Sequence, residues 1–164
     1  MIKALIFDWG NTIMRDFPEL EGPMYLWKNV ELIPDIKPAL EYLSKKYLCC
    51  IATNAGCSDT EAMIKALKRV DVDKYFKHFY SSKDLGYSKP DKRFFTSILK
   101  NINRSPEECI MIGNDYKKDI YEAKNSGMKT IFFNEDNLKG DFTKADFVIN
   151  SMSILIKTVE DFEN

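Results

Sequence analysis

A small set of polar side chains in this chain stands where catalysis would need them. Asp8 closes the apolar run Ala4-Leu5-Ile6-Phe7, Thr53 and Asn54 close the run that starts at Leu48, and Asp115 and Asp119 follow Gly113-Asn114. Lys89 sits between them in sequence, inside "SSKDLGYSKPDKRFF". Each has an ordinary reading on its own. Asp8 or Asp115 suits a turn or a helix cap, as do Thr53 and Asn54. Asp119 suits the positive end of a helix, and an isolated lysine is usually solvated. Brought to one place, they have a shared chemistry. Asp8 with Asp115 or Asp119 offers hard oxygen ligands for Mg²⁺. The cation would offset a carboxylate repulsion on the order of 4 kcal/mol at 4 Å and an effective dielectric of 20. A lysine, a hydroxyl and loop N–H groups beside it would clamp an anion, and a free carboxylate would attack it.

These residues need a scaffold that gathers strand ends. Short apolar runs at residues 4–7, 48–52, 79–81, 109–112, 130–133 and 147–149 do not alternate with polar residues, which predicts parallel strands covered on both faces. Between them lie amphipathic segments. "DIKPALEYLSKKY" carries Ile36, Leu40 and Leu43 on one face, and "DKRFFTSILKNI" carries Phe94, Phe95, Ile98, Leu99 and Ile102. "SDTEAMIKALKRV" starts with Ser58 and Glu61 in capping-box spacing, and "YKKDIYEAKNSG" ends on Gly127, a left-handed stop. The alternation predicts a doubly wound, three-layer α/β/α Rossmann-like domain with a mainly parallel sheet, in which ligands bind beyond the carboxyl ends of the strands.

At 164 residues the chain reads as one domain, 1–164, with enough material for a real core. Residues 14–34 break the pattern: prolines, a glycine and aromatics without a period form an ordered excursion after the first strand. About 20 such residues is long for a loop, and long loops are often functional. Lys and Arg number 24 against 25 Asp and Glu, so no electrostatic footprint for nucleic acid or an anionic membrane follows. No run approaches the roughly 18 apolar residues of a membrane helix, and the N-terminus does not read as a signal peptide, so a cytoplasmic location is expected. Cys49, Cys50 and Cys109 lie in apolar runs and read as reduced core residues, Cys57 as a loop thiol; His78, the single histidine, cannot complete a zinc site with them.

The order of motifs resembles the haloacid dehalogenase (HAD) superfamily: an apolar strand with Asp8-x-x-x-Thr12, Thr53 at a strand end, Lys89-Pro90-Asp91, then Gly113-Asn114-Asp115-x-x-x-Asp119. The resemblance covers roughly residues 3–150. It implies a HAD-like fold and an Mg²⁺-dependent, phosphatase-like hydrolase acting on a phosphorylated substrate. It implies that Asp8 forms an aspartyl-phosphate and also binds Mg²⁺, that the Gly10 carbonyl is a second ligand, and that Thr53, Asn54 and Lys89 hold the phosphoryl group. Asp115 would be the next metal ligand, being a better one than an amide, with Asp119 assisting; Asn114 is the alternative at that place.

The chain departs from the pattern at Gly10. Hydrolytic relatives usually carry an aspartate there that protonates the leaving group and then activates water. A positioned acid–base group contributes roughly 10²–10⁴-fold, so catalysis is weakened unless Asp16, Glu19 or Glu21 substitutes. The alternative is a regulatory module that binds phosphate and Mg²⁺ without turnover. Dehalogenase relatives also lack that aspartate, but they work under a substantial cap without Mg²⁺. The excursion at 14–34 offers at most a short cap-like cover, which suits a bulky or macromolecular substrate or a homo-oligomer whose neighbouring subunit closes the site.

Overall fold

A computed structural model describes all residues, 1–164. Six parallel strands form one sheet in the order β3-β2-β1-β4-β5-β6. They are β1 (Ala4–Phe7), β2 (Leu48–Thr53), β3 (His78–Ser81), β4 (Cys109–Gly113), β5 (Lys129–Phe133) and β6 (Phe147–Ile149). Successive residues of each strand point to opposite faces, and both faces are covered, which is why the runs are apolar throughout. Leu5 and Phe7, with Ile51, Ile112 and Phe133, face helices α1 (Ile36–Leu43), α2 (Thr60–Arg69) and α6 (Leu155–Glu160). Ala4 and Ile6, with Cys50, Ala52 and Met111, face α4 (Lys92–Ile102), which follows the one-turn α3 (Ser82–Leu85) and whose Phe94, Phe95 and Ile98 are fully buried. Three layers result. The parallel order, the two-sided core and the buried Cys49, Cys50 and Cys109 agree with the sequence reading, and Cys57 is exposed. No helix is long and apolar enough to cross a membrane.

The strand order reverses at β1, which lies between β2 and β4. That reversal opens a crevice at the carboxyl end of β1, the place where such sheets bind ligands. The register pairs Phe7 with both Ile51 and Ile112, so the residues after β1, β2 and β4 emerge at one level.

Two local expectations change. The α2 cap is Asp59, not Ser58: Asp59 Oδ1 accepts from Ala62 N at 2.8 Å. Ser58 is buried, and its Oγ accepts from Met24 N at 3.3 Å, tying down the excursion. The segment after β4 is not a uniform α-helix. A π-helical turn spans Tyr116–Tyr121 and runs into α5 (Glu122–Asn125), which ends at Gly127 with φ +93°.

The excursion is ordered by specific bonds. Met14 bridges to Gly10 and to Leu32, and Met24–Leu26 forms a 3₁₀ turn. From α2, the Arg69 guanidinium donates to the carbonyls of Tyr25 and Lys28, both at 3.1 Å, and to that of Trp27. Phe17 and Trp27 pack with ring centroids 6.3 Å apart.

Candidate active site

Asp8 is held by the sheet itself. Its N–H donates to the Ile112 carbonyl at 2.9 Å, extending the β1–β4 ladder by one residue. The two-residue period puts its side chain on the α4 face, with Ala4 and Ile6. Lys89 enters from the loop before α4 and is 5 % exposed. Its ammonium donates to Asp8 Oδ1 at 2.8 Å, Asp119 Oδ1 at 2.7 Å and the Ala52 carbonyl at 2.9 Å. An ammonium has three donors, and here all are used within the protein. Burial works against the Lys89 charge, but the Asp119 and Asp8 carboxylates outweigh it and raise its pKa. Burial and then the Asp8 charge push Asp119 up to about 7, against the opposing pull of Lys89.

Asp119 approaches this closely because residue 113 is glycine. A Cβ on Gly113 would lie 2.5 Å from Asp119 Cγ and 2.6 Å from its Cβ, an impossible overlap. The other Asp119 oxygen accepts from Asp115 N at 3.0 Å. Asn54 positions Lys89 from the opposite side: its Oδ1 accepts from Lys89 N at 2.8 Å and its Nδ2 donates to the Lys89 carbonyl at 3.0 Å. The Asn54 side chain is thus a clamp on the lysine backbone and not a free anion ligand. Thr53 is buried at the end of β2, its Oγ1 donating only at 3.3 Å to the Asn54 carbonyl.

The residue after Gly113 settles which side chain reaches Asp8. One terminal atom of the Asn114 amide lies 3.0 Å from Asp8 Oδ2, 3.2 Å from the Gly10 carbonyl oxygen and 3.3 Å from Thr12 Oγ1. Asp115 instead caps the π-helical turn, its Oδ1 accepting from Lys117 N at 3.1 Å and Lys118 N at 3.0 Å. The expected pairing of Asp8 with Asp115 is therefore replaced by Asp8 with Asn114. Residue type does not tell the two apart, since asparagine and aspartate are equally preferred helix caps.

Asp8 Oδ2, the Gly10 carbonyl and the Asn114 amide oxygen fit a hard cation. Ligands at about 2.0–2.1 Å in an octahedron stand roughly 3.0 Å apart, and the Asn114 atom lies 3.0 and 3.2 Å from the other two. The set carries a single carboxylate, and no group of three His, Cys, Asp or Glu side chains that could hold a metal exists in the chain. In the other orientation the amide nitrogen occupies the same spot and donates to Asp8 and Gly10, closing the triangle without a cation.

Beside this cluster opens a cleft of about 330 Å³. Gly10, Thr53 and Asn54 form its inner wall, and Phe17, Leu20, Met24 and Trp27 of the excursion form the outer one. No lysine, arginine or histidine lines it, and Asp16 is its one acidic residue.

The fold finds its match among known proteins. The model of the family described as haloacid dehalogenase-like hydrolase matches residues 11–133, and the chain belongs to this family. It is 38 % identical over 96 residues to the glyceraldehyde 3-phosphate phosphatase of Pyrococcus furiosus, a match covering 56 % of this chain and 40 % of that protein. The chain thus spans less than half the length of that curated relative. Among solved structures, an uncharacterised protein from Listeria monocytogenes serotype 4b superposes with a TM-score of 0.85 at 22 % identity, over 99 % of both chains. The HAD-hydrolase YfnB of Bacillus subtilis, solved bound to magnesium, superposes with a TM-score of 0.80 at 17 % identity, over 96 % of this chain and 98 % of that one.

Proposed function

We propose that this chain is an Mg²⁺-dependent phosphomonoester hydrolase that works through an aspartyl-phosphate on Asp8, with acid–base catalysis weakened at Gly10. The observation that carries the reading is the division of labour at Asp8: Oδ1 is bound by Lys89 at 2.8 Å, while Oδ2 stands in the oxygen triangle with Gly10 and Asn114. The phosphatase relative supports the substrate class.

In this reading a carboxylate oxygen of Asp8 attacks phosphorus and the alcohol leaves. Water then attacks the phosphorus of the aspartyl ester and returns Asp8 to its carboxylate. Lys89 holds the Asp8 carboxylate fixed in direction. Thr53 and the loop N–H groups after β1 and β2 hold the phosphoryl oxygens. Asp8, the Gly10 carbonyl and Asn114 would hold the cation, which when bound supplies positive charge to the phosphoryl oxygens. The absence of any basic side chain in the cleft favours a substrate whose organic part is uncharged. A second anionic group would meet apolar walls and Asp16.

The test is release of phosphate from a generic phosphomonoester with Mg²⁺, after chelation, and in Asp8→Asn. Activity that needs both the cation and Asp8 supports the reading; activity that survives both losses ends it. The second reading, a binding module without turnover, is favoured by the paired absence of carboxylates at Gly10 and Asn114. It predicts saturable vanadate binding with no phosphate release across a broad panel.

A further inference from the structure

We propose that Asp16 supplies the acid–base group that position 10 lacks; the assignment rests on the hydrolase reading. The loop after β1 folds back on itself. The N–H groups of Ile13 and Met14 both donate to the Trp9 carbonyl, at 2.8 and 3.2 Å, and Asn11 N donates to the Met14 carbonyl at 2.7 Å. Asn11, in the left-handed region at φ +56°, turns its side chain so that Oδ1 accepts from Asp16 N at 3.0 Å. This fold-back carries Asp16 over Gly10. A Cβ built on Gly10 has as its three nearest neighbours the Asp16 Cβ at 3.5 Å, Oδ2 at 3.8 Å and Cγ at 3.9 Å. The Asp16 carboxylate therefore borders the volume that an aspartate side chain at position 10 would enter.

The other acidic residues of the excursion lie elsewhere. Glu19 and Glu21 line a separate surface groove with Leu26 and Lys28. Asp16 lines the cleft beside Gly10, Thr53 and Asn54, and its exposed carboxylate has no hydrogen-bond or ion-pair partner in the protein. In the hydrolase reading it is the one carboxyl group of the cleft available to protonate a leaving alcohol.

The proton accounting closes. As Asp8 bonds to phosphorus, the bond from phosphorus to the alcohol oxygen breaks and its electron pair goes to that oxygen, which takes the proton of the Asp16 carboxylic acid. In the second step a water oxygen bonds to phosphorus and its proton passes to the Asp16 carboxylate. The Asp8–phosphorus bond breaks with its electron pair returning to Asp8. The sum is ester plus water to alcohol plus phosphate.

Leaving-group dependence separates this role from a structural one. A general acid matters for a poor leaving group and little for a good one. Asp16→Asn should lower kcat/KM on an alkyl phosphate by about 10²-fold or more, and on 4-nitrophenyl phosphate by no more than about threefold. Gly10 is not in the left-handed region, so a side chain there meets no backbone strain. Gly10→Asp added to Asp16→Asn should recover about tenfold or more on the alkyl ester. An equal loss on both esters, or no loss on either while the parent hydrolyses them, overturns the assignment of Asp16 and leaves the hydrolase reading standing. A parent chain that hydrolyses neither ester, but binds vanadate, overturns the hydrolase reading and the assignment with it.

Discussion

Strands β1 and β4 run between two lysine–carboxylate clusters, one at each end. At the amino end Lys3 Nζ lies 2.7 Å from Glu108 Oε1, with side chains 48 % and 24 % exposed. At the carboxyl end Lys89 Nζ lies 2.8 Å from Asp8 and 2.7 Å from Asp119, with the three side chains 3, 13 and 1 % exposed. The distances match, but the surroundings do not. Water screens the first pair and can replace either partner. The second cluster has no such replacement, so each of its members depends on the others. Two carboxylates share one ammonium there, and in the proposed reading a bound cation would add positive charge beside Asp8. The amino end balances its charges one to one and offers nothing to bind.

The largest effect should come from Lys89→Met, which strands two buried carboxylates. Loss of about 3–5 kcal/mol is expected, read as a lower denaturant midpoint. Adding Asp119→Asn should recover part of it, because the residues share one network. A Lys89→Met protein as stable as the parent would erase the contrast between the two ends. With its ammonium fully bonded and buried, Lys89 cannot be removed without affecting stability.

Next comes Gly113→Ala, whose methyl would force Asp119 away from Lys89. Overpacking of this kind costs about 1–3 kcal/mol, and the same denaturant curve reads it. The third prediction concerns the cation. Asn114→Asp places a second carboxylate beside Asp8, so the protein without cation should melt lower and the Mg²⁺-induced rise in midpoint should grow; tenfold tighter binding corresponds to about 1.4 kcal/mol. Asp115→Ala should cost about 1 kcal/mol as a lost cap and leave the Mg²⁺ response unchanged. If Asp115→Ala instead abolishes that response, the oxygen triangle at Asn114 is not the cation site.

The smallest effect belongs to the amino end. The Lys3 ammonium, with the Ser105 N–H, holds the Glu108 carboxyl down at about 2. A depressed folded pKa gives a contribution that is present above the ordinary carboxylate range and fades as pH falls toward about 2. Lys3→Met should raise the Glu108 titration followed by NMR without a detectable change in midpoint at neutral pH. A clear drop in midpoint would mean that the exposed pair carries more of the fold than its solvation allows.

The same contrast explains what the sequence reveals. The strands are legible because a sheet covered on both faces requires unbroken apolar runs, and 147–149 is as clear as 4–7. Asp8 is legible because a charge directly after an apolar strand has few other places to go, whereas Lys89, ordinarily a solvated residue, is legible only through its place in the order of motifs. The two adjacent candidates after β4 are harder to separate, because one backbone turn decides which side chain faces Asp8 and which caps the next helix. The Asn54 clamp and the Asp16 fold-back join residues through loop geometry that no periodicity records. Helix α6 lies past the last predicted strand and is stabilised by tertiary packing of Leu155 and Val159, not by a pattern long enough to read.

The cleft also contains its own optical probe. The chain has two tryptophans, and both Trp9 and Trp27 line that cleft. Trp9 is buried with its indole N–H unpartnered, whereas the Trp27 indole donates to the Glu21 and Gly22 carbonyls of the excursion. Tryptophan fluorescence, excited beyond the tyrosine absorption band, therefore originates at the candidate site alone. Emission from Trp9 reports the inner wall and emission from Trp27 the outer wall. Trp27→Phe would leave a single-wavelength sensor of ligand entry that requires no label and no turnover.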